Sequence, residues 1–192
     1  DRYLVKRLKK ESKRLRKMAE ETLELSKLES SEDFNKNKKI SISDLIMESW
    51  QTLKPLAEKK DIKINLFSPT KYYISGDIEN LKRAFINILD NAIRYSPTKE
   101  GIQIEIFKRD SSVVIRVRDK GIGLEENEFN DIFSRFYRGD PSRTKFKKSG
   151  SGLGLSITKK IINNNKGFIK AFNHKDGGAI IETIFPCLNT DL

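Results

Sequence analysis

The sequence predicts an α+β fold: one sheet with helices on one face, preceded by a long N-terminal helix. Three observations carry this. Residues 1–30 contain no Gly or Pro and repeat apolar residues at alternating steps of four and three. Strict alternation appears in short runs such as Ile62, Ile64, Leu66 and Ile102, Ile104, Ile106. Stretches with helical period lie between those runs, and a mixed order of this kind builds a sheet layered with helices.

Taken in order, Leu4, Leu8, Glu11, Leu15, Met18, Thr22 and Leu25 form the seam of the first helix, weakened at Glu11 and Thr22. A lone amphipathic helix cannot bury such a stripe, so a partner is required. It is either a dimerising helix or a plain packing helix. Polar residues 31–39 read as a linker and 40–192 as the main domain. Ile40 and Ile42 suggest a short strand, and Ser43 or Asp44 can cap a helix through about Glu58, with Leu45, Ile46, Trp50 and Leu53 apolar. After the strand around Ile64, Tyr73 to Ser75 is a second short strand. Asp77 can cap a helix from Ile78 to Tyr95. The Ile102–Ile106 and Val113–Val117 alternations predict neighbouring strands joined near Asp110-Ser111. A further helix covers Leu153 to Asn163, and Phe168–Phe172 with Ala179–Phe185 predict a closing hairpin around Asp176-Gly177-Gly178.

The chain has 192 residues, enough for one packed domain and an appendage. No apolar run is long enough to cross a bilayer as a helix. Cys187 is the only cysteine, which excludes an internal disulfide. The formal charge of +11 is spread along the chain without a nucleic-acid motif, so nucleic acid is not an expected partner. A solvated Lys-rich surface, an anionic small ligand or an acidic protein would each account for it. The chain opens at Asp1 within a charged helix and is expected to be part of a longer protein.

Three segments carry chemistry. In the helix from Ile78, Asn87, Asn91 and Tyr95 recur every four residues along one side. Asn87 and Asn91 are either solvated or capping asparagines or oxygen ligands for Mg²⁺, which keeps waters and phosphates in its shell. Asp119-Lys120-Gly121-Ile122-Gly123 follows a strand directly. It is an ordinary turn, or a carboxylate aimed at an exocyclic amine beside glycines that let a flat ligand approach. Gly150-Ser151-Gly152-Leu153-Gly154-Leu155 opens a helix, as a hinge or as a phosphate-binding N-terminus. It lacks the Gly-Lys-Ser/Thr of a Walker loop. Arg143, Lys145, Lys147 and Lys148 lie in the charged segment before it, a disordered loop or a lid over phosphates.

In order and spacing, these segments together resemble the catalytic region of bacterial sensor histidine kinases, within the superfamily of gyrase, Hsp90 and MutL. Asn87-Ile-Leu-Asp-Asn91-Ala-Ile-Arg94-Tyr95-Ser-Pro97 is similar to the N box. Asp119-Lys-Gly121-Ile-Gly123-Leu resembles the first glycine box, Ile132-Phe133-Ser-Arg135-Phe136-Tyr137-Arg138 the F box, and Gly150 to Leu155 the second glycine box. The helix before the linker, residues 1–30 with Leu25-Ser-Lys-Leu-Glu-Ser30, resembles the second helix of the dimerisation and phosphoacceptor hairpin.

The resemblance implies a two-layer sandwich with a mixed sheet, the Bergerat ATP-binding fold. It implies ATP and Mg²⁺ as cofactors, with Asn91 on the metal and Asn87 near the phosphates. Arg94, where many members carry Lys, keeps a cationic phosphate contact with a different geometry. Tyr95 would line the adenine pocket and Asp119 take the adenine amine, with Gly121 and Gly123 admitting the base. Arg135 and Arg138 would approach the phosphates from the lid side, and Gly152 and Gly154 permit the lid-to-helix turn. The implied activity is transfer of the ATP γ-phosphoryl group to a histidine, for relay to a response regulator. The implied setting is the cytoplasmic portion of a membrane-bound bacterial sensor that dimerises in its full length. The alternative is a non-catalytic nucleotide-binding module.

Two departures refine this. Hydrolytic superfamily members carry Glu where this sequence has Asn87, and an amide cannot take a proton from water. Slow hydrolysis is therefore expected. The acceptor motif of His followed by Glu is missing. The only histidine, His174, reads as a hairpin-loop residue. The acceptor helix is expected outside this chain, which would bind nucleotide without phosphorylating itself.

Overall fold

The computed structural model describes residues 2–30, 38–139 and 151–188, apart from the side chains of Lys10, Arg14 and Ser30. Most of the linker read at 31–39, the basic residues Arg143, Lys145, Lys147 and Lys148, and Gly150 lie outside the described residues.

The chain runs α1 (Arg2–Ser30), β1 (Lys38–Ser41), α2 (Ile42–Glu58), β2 (Lys63–Phe67), β3 (Tyr73–Gly76), α3 (Ile78–Tyr95), β4 (Gly101–Arg109) and β5 (Ser112–Arg118). It continues with α4 (Glu128–Asp131), α5 (Gly154–Asn164), β6 (Phe168–Asn173) and β7 (Ala179–Pro186). A five-stranded sheet has the order β2-β4-β5-β7-β6, with β1 and β3 forming a separate pair. β2 joins β4 in parallel and every other pairing in the larger sheet is antiparallel, so the sheet is mixed.

Alternation decides which face is covered. Ile102, Ile104 and Ile106 of β4 with Ile115 and Val117 of β5 are buried in one cluster with Leu81, Phe85 and Ile88 of α3 and Ile157 and Ile161 of α5. Fully burying side chains such as Phe85 stabilises by roughly 2–3 kcal/mol each. On the opposite face the register lines up Glu105, Arg116, Glu182 and Lys170 across β4, β5, β7 and β6. Glu182 is fully buried there, with Arg116 Nε at 2.7 Å and Lys170 Nζ at 3.2 Å. Burial would raise its pKa, but these cations outweigh that and hold it below the ordinary glutamate value.

α3 spans the predicted residues. Asp77 caps it, accepting from the N–H groups of Glu79 and Asn80 at 3.0 and 3.1 Å. α2 starts earlier than expected. Ser41, not Ser43 or Asp44, is its cap, and Ile42 belongs to the helix instead of the strand. The reason is local: β1 ends its pairing with β3 at Ser41, whose extended backbone lets Oγ accept from Asp44 N at 3.5 Å.

α1 divides its apolar stripe. Leu25 and Leu28 join the domain core, whereas Leu4, Leu8 and Leu15 are exposed. Asn164 of α5 donates to the Leu28 carbonyl at 3.0 Å, and Arg83 of α3 is ion-paired with Glu24. Among the described residues, no helix is long and apolar enough to cross a membrane.

Candidate functional site

A cavity of about 230 Å³ opens between α3, the segment after β5, the stretch around α4 and the start of α5. Its wall includes Asn87, Asn91, Arg94 and Tyr95 from α3, and Asp119 and Gly123 from the segment following β5. Arg138, Gly152 and Gly154 complete the expected set on the wall. Gly121 and Arg135 stand apart from the wall. Gly121 N donates to Asp119 Oδ1, and Arg135 is ion-paired with Glu29 of α1.

The amphipathic pattern of α3 sets the first group. Its apolar side faces the sheet, so the residues of the Asn87 side line the cavity. Asn87 Nδ2 donates to the Gly154 carbonyl at 3.2 Å and to Thr158 Oγ1 at 3.4 Å, tying α3 to the first turn of α5. Arg94 Nη2 donates to Asp90 Oδ2 at 2.6 Å, one helical turn away.

Asp119 is held in place by the backbone around it. Its Oδ1 accepts from Gly121 N at 2.8 Å and Ala179 N at 3.1 Å. Burial pushes its pKa up, partly offset by those two backbone donors and by Arg118. The chain passes so close at Gly178 (φ +83°) that a Cβ there would lie 2.0 Å from the Asp119 carbonyl oxygen. Asn173 of β6 braces the next turn, accepting from Leu124 N at 2.8 Å and donating to the Leu124 carbonyl at 2.7 Å.

The opposite wall is built on Glu128, which is buried although acidic. Its Oε1 accepts from the Tyr137 hydroxyl at 2.7 Å and its Oε2 from Glu125 N at 2.8 Å. Burial and this carboxylate together push the Tyr137 phenol well above its ordinary value. Gly152 (φ +82°) lets the start of the α5 segment pack on the backbone of Phe136 and Tyr137. A Cβ there would come within 2.8 Å of the Phe136 carbonyl carbon.

Several site residues were not read from the sequence. Asp90 could have been found from its four-residue spacing to Arg94, and Gly178 from the double glycine of the hairpin. Tyr137 and Ser151 lie on motifs already read, without a role of their own, whereas Glu128 and Asn173 carry no local signal, because tertiary packing brings them to the site. Lys17 and Glu21 of α1 also reach the cavity wall. His174 is in the β6–β7 hairpin, where its Nδ1 accepts from Asp176 N at 3.0 Å.

An acid fixed by backbone donors, two glycine turns, amides and arginines thus meet at one cavity, and comparisons with known proteins give the family in which these segments belong. Residues 76–189 match the family described as histidine kinase-, DNA gyrase B-, and HSP90-like ATPase. Sensor protein SphS of Synechococcus elongatus is 33% identical over 189 residues, covering 95% of this chain and 46% of that protein. Sensor-like histidine kinase SenX3 of Mycobacterium tuberculosis is 32% identical over 178 residues, covering 93% and 43%. The mycobacterial sensor histidine kinase MprB superposes with a TM-score of 0.69 at 25% identity, covering 79% of this chain and 97% of that one. Full-length ShkA in complex with AMPPNP shares the fold over 98% of this chain and 39% of its own, with a TM-score of 0.78 at 21% identity.

The chain belongs to the histidine kinase-, DNA gyrase B-, and HSP90-like ATPase family, and relatives of it are named as sensor proteins and sensor histidine kinases. It spans less than half the length of these curated relatives.

Proposed function

We propose that this chain is the ATP-binding catalytic region of a sensor histidine kinase. It transfers the γ-phosphoryl group of ATP to a histidine outside these residues, for relay to a response regulator. The observation that carries this is the joining, on one cavity wall, of the backbone-fixed Asp119 carboxylate with Asn91, Arg94 and Arg138.

With Oδ1 held by two N–H groups, Asp119 presents its other oxygen to the adenine amine, and Tyr95 and Gly123 border the base. Arg94, braced by Asp90, and Arg138, beside the Tyr137–Glu128 hydrogen bond, supply cationic contacts for the phosphates. Arg135 would have to leave Glu29 to join them. Asn87 keeps Gly154, and with it the helix N-terminus, against the phosphate end of the site.

Asn91 would hold Mg²⁺. Among the described residues, no group of three His, Cys, Asp or Glu could hold a metal. One neutral amide oxygen suits an ion that retains waters and takes phosphate oxygens. When bound, the ion would neutralise charge on the phosphates.

In the transfer itself an imidazole nitrogen bonds to the γ-phosphorus and ADP leaves. The positioned water base of an ATPase is not needed, and the amide of Asn87 cannot act as one. The division into α1, linker and catalytic domain fits a longer protein in which α1 is half of a dimerisation hairpin. The exposed Leu4, Leu8 and Leu15 support pairing with the other helix of such a hairpin and with a second copy. The cytoplasmic side of a membrane-bound sensor is the setting we assign to that protein.

The test supplies the parent protein's dimerisation hairpin in trans, with Mg²⁺ and γ-labelled ATP. Acid-labile, base-stable label on the hairpin's histidine is expected. Label on His174, or rapid release of inorganic phosphate without label on the hairpin, would overturn the proposal.

A further inference from the structure

We propose that Lys60 is a positioning residue for adenine recognition, acting through the end of α3. The inference rests on the reading that the cavity takes ATP.

Lys60 lies in the turn between α2 and β2, outside every motif that the sequence singled out. Its Nζ donates to three carbonyl oxygens, those of Ile93 at 2.7 Å, Arg94 at 3.0 Å and Ser96 at 2.6 Å. An ammonium has three protons, so this set uses them all. The acceptors belong to the last turn of α3 and its cap, where a helix leaves carbonyls without partners and carries its negative dipole end. The main chain of Lys60 adds a fourth tie, its carbonyl accepting from Lys99 N at 2.9 Å. Burial draws the pKa of the ammonium below the ordinary lysine value.

What Lys60 fixes is the underside of the adenine site. Ser96 is fully buried, and its Oγ accepts from Lys120 N at 3.3 Å. The Tyr95 carbonyl packs so closely on the first glycine turn that a Cβ on Gly121 would lie 2.8 Å from its oxygen. Gly121 N in turn orients the Asp119 carboxylate. A short path therefore runs from Lys60 to the carbonyls of Arg94 and Ser96, which flank Tyr95 in the chain, and from Ser96 Oγ and the Tyr95 carbonyl to the Lys120-Gly121 turn and Asp119. Lys60 touches no ligand in this scheme. It sets the height of the turn that carries the adenine-reading acid.

A plain helix cap would stabilise the fold without affecting which base is bound, and that separates the two roles. Calorimetry would compare the wild-type chain with Lys60→Met and the milder Lys60→Gln. Both a non-hydrolysable ATP analogue and its inosine counterpart, which lacks the exocyclic amine, would be used. The temperature is chosen so that circular dichroism shows each variant folded. The wild type is expected to prefer the adenine analogue by about tenfold or more, the order of one buried hydrogen bond to a charged group. In Lys60→Met the adenine affinity is expected to fall about 5–10-fold while the inosine affinity falls less, so the preference shrinks to within about threefold. Lys60→Gln, which keeps two donors, is expected to fall between them and stands in if Lys60→Met does not fold. An unchanged adenine preference in either folded variant, whatever its melting temperature, would overturn the role of Lys60 alone. A wild-type chain that binds neither analogue would overturn the ATP reading, and the Lys60 assignment with it.

Discussion

Asn87 donates its amide N–H to the Gly154 carbonyl at 3.2 Å, joining two motifs that lie 67 residues apart. The helix bearing the asparagines and the helix opening after the second glycine box are thereby held in one register. Removing the amide in Asn87→Ala leaves that carbonyl with the Thr158 hydroxyl, which donates to it at 2.9 Å. The stability cost should therefore be modest, about 0.5–1.5 kcal/mol. Affinity for the triphosphate should fall more than affinity for adenosine, because the tie serves the phosphate end. Thermal melts and parallel titrations with the two ligands check both parts.

Adjacent glycines of the β6–β7 hairpin should respond differently to alanine. At Gly177 (φ +88°) a Cβ meets nothing within 4 Å, so Gly177→Ala carries only the backbone cost of about 1 kcal/mol. At Gly178 the same change forces a Cβ to 2.0 Å from the Asp119 carbonyl oxygen, and the backbone must move. Gly178→Ala should cost about 2–4 kcal/mol and weaken nucleotide binding as well. Denaturant unfolding and nucleotide titration of the pair would show whether the two effects separate.

The two F-box arginines should also separate. Arg138 is on the cavity wall, whereas Arg135 is engaged with Glu29 of α1. Arg138→Ala should weaken binding of an ATP analogue by about tenfold, as loss of a charge-assisted contact does. Arg135→Ala should stay within about twofold, the scale of a half-exposed ion pair. Calorimetry on both variants measures this directly.

Glu182 gives a pH signature away from the site. Its folded pKa is held below the unfolded value, so its contribution is complete above the ordinary glutamate pKa and disappears as pH falls through the lower folded value. Lys170 and Arg109 around it are about half exposed, which moderates the cost of stranding them. Glu182→Gln should lose about 1–3 kcal/mol at pH 7, and the gap to wild type should close below about pH 4. Melting curves from pH 3 to 8 (a range set by the ordinary carboxylate pKa of about 4) would follow it.

Much of this molecule is readable along the chain, and what escapes reading has a physical pattern. α3 was legible at both ends because Asp77 caps it and its apolar period runs unbroken to Tyr95. The α2 boundary was missed because Ser41, Ser43 and Asp44 are all competent caps, and the pairing of β1 with β3 selects among them. In the site, residues on motifs were found, while those that hold the motifs were not. Glu128 reads as one more surface acid, and Lys60 as one more lysine in a basic chain. Only packing reveals that Glu128 is buried against the Tyr137 hydroxyl and that Lys60 gathers the end of α3. The stripe of α1 was visible, but its division into a docked end at Leu25 and Leu28 and an exposed end at Leu4 to Leu15 was not.

The most direct test is calorimetry of a non-hydrolysable ATP analogue with Mg²⁺, comparing the wild-type chain with Asp119→Asn. Asparagine keeps the shape of the side chain but removes the charge, and its amide can turn a donor towards the adenine amine. Saturable binding by the wild type is expected, with affinity lower by at least about tenfold in a folded Asp119→Asn chain. Equal affinity in the two chains would contradict the assignment of this cavity as the adenine site.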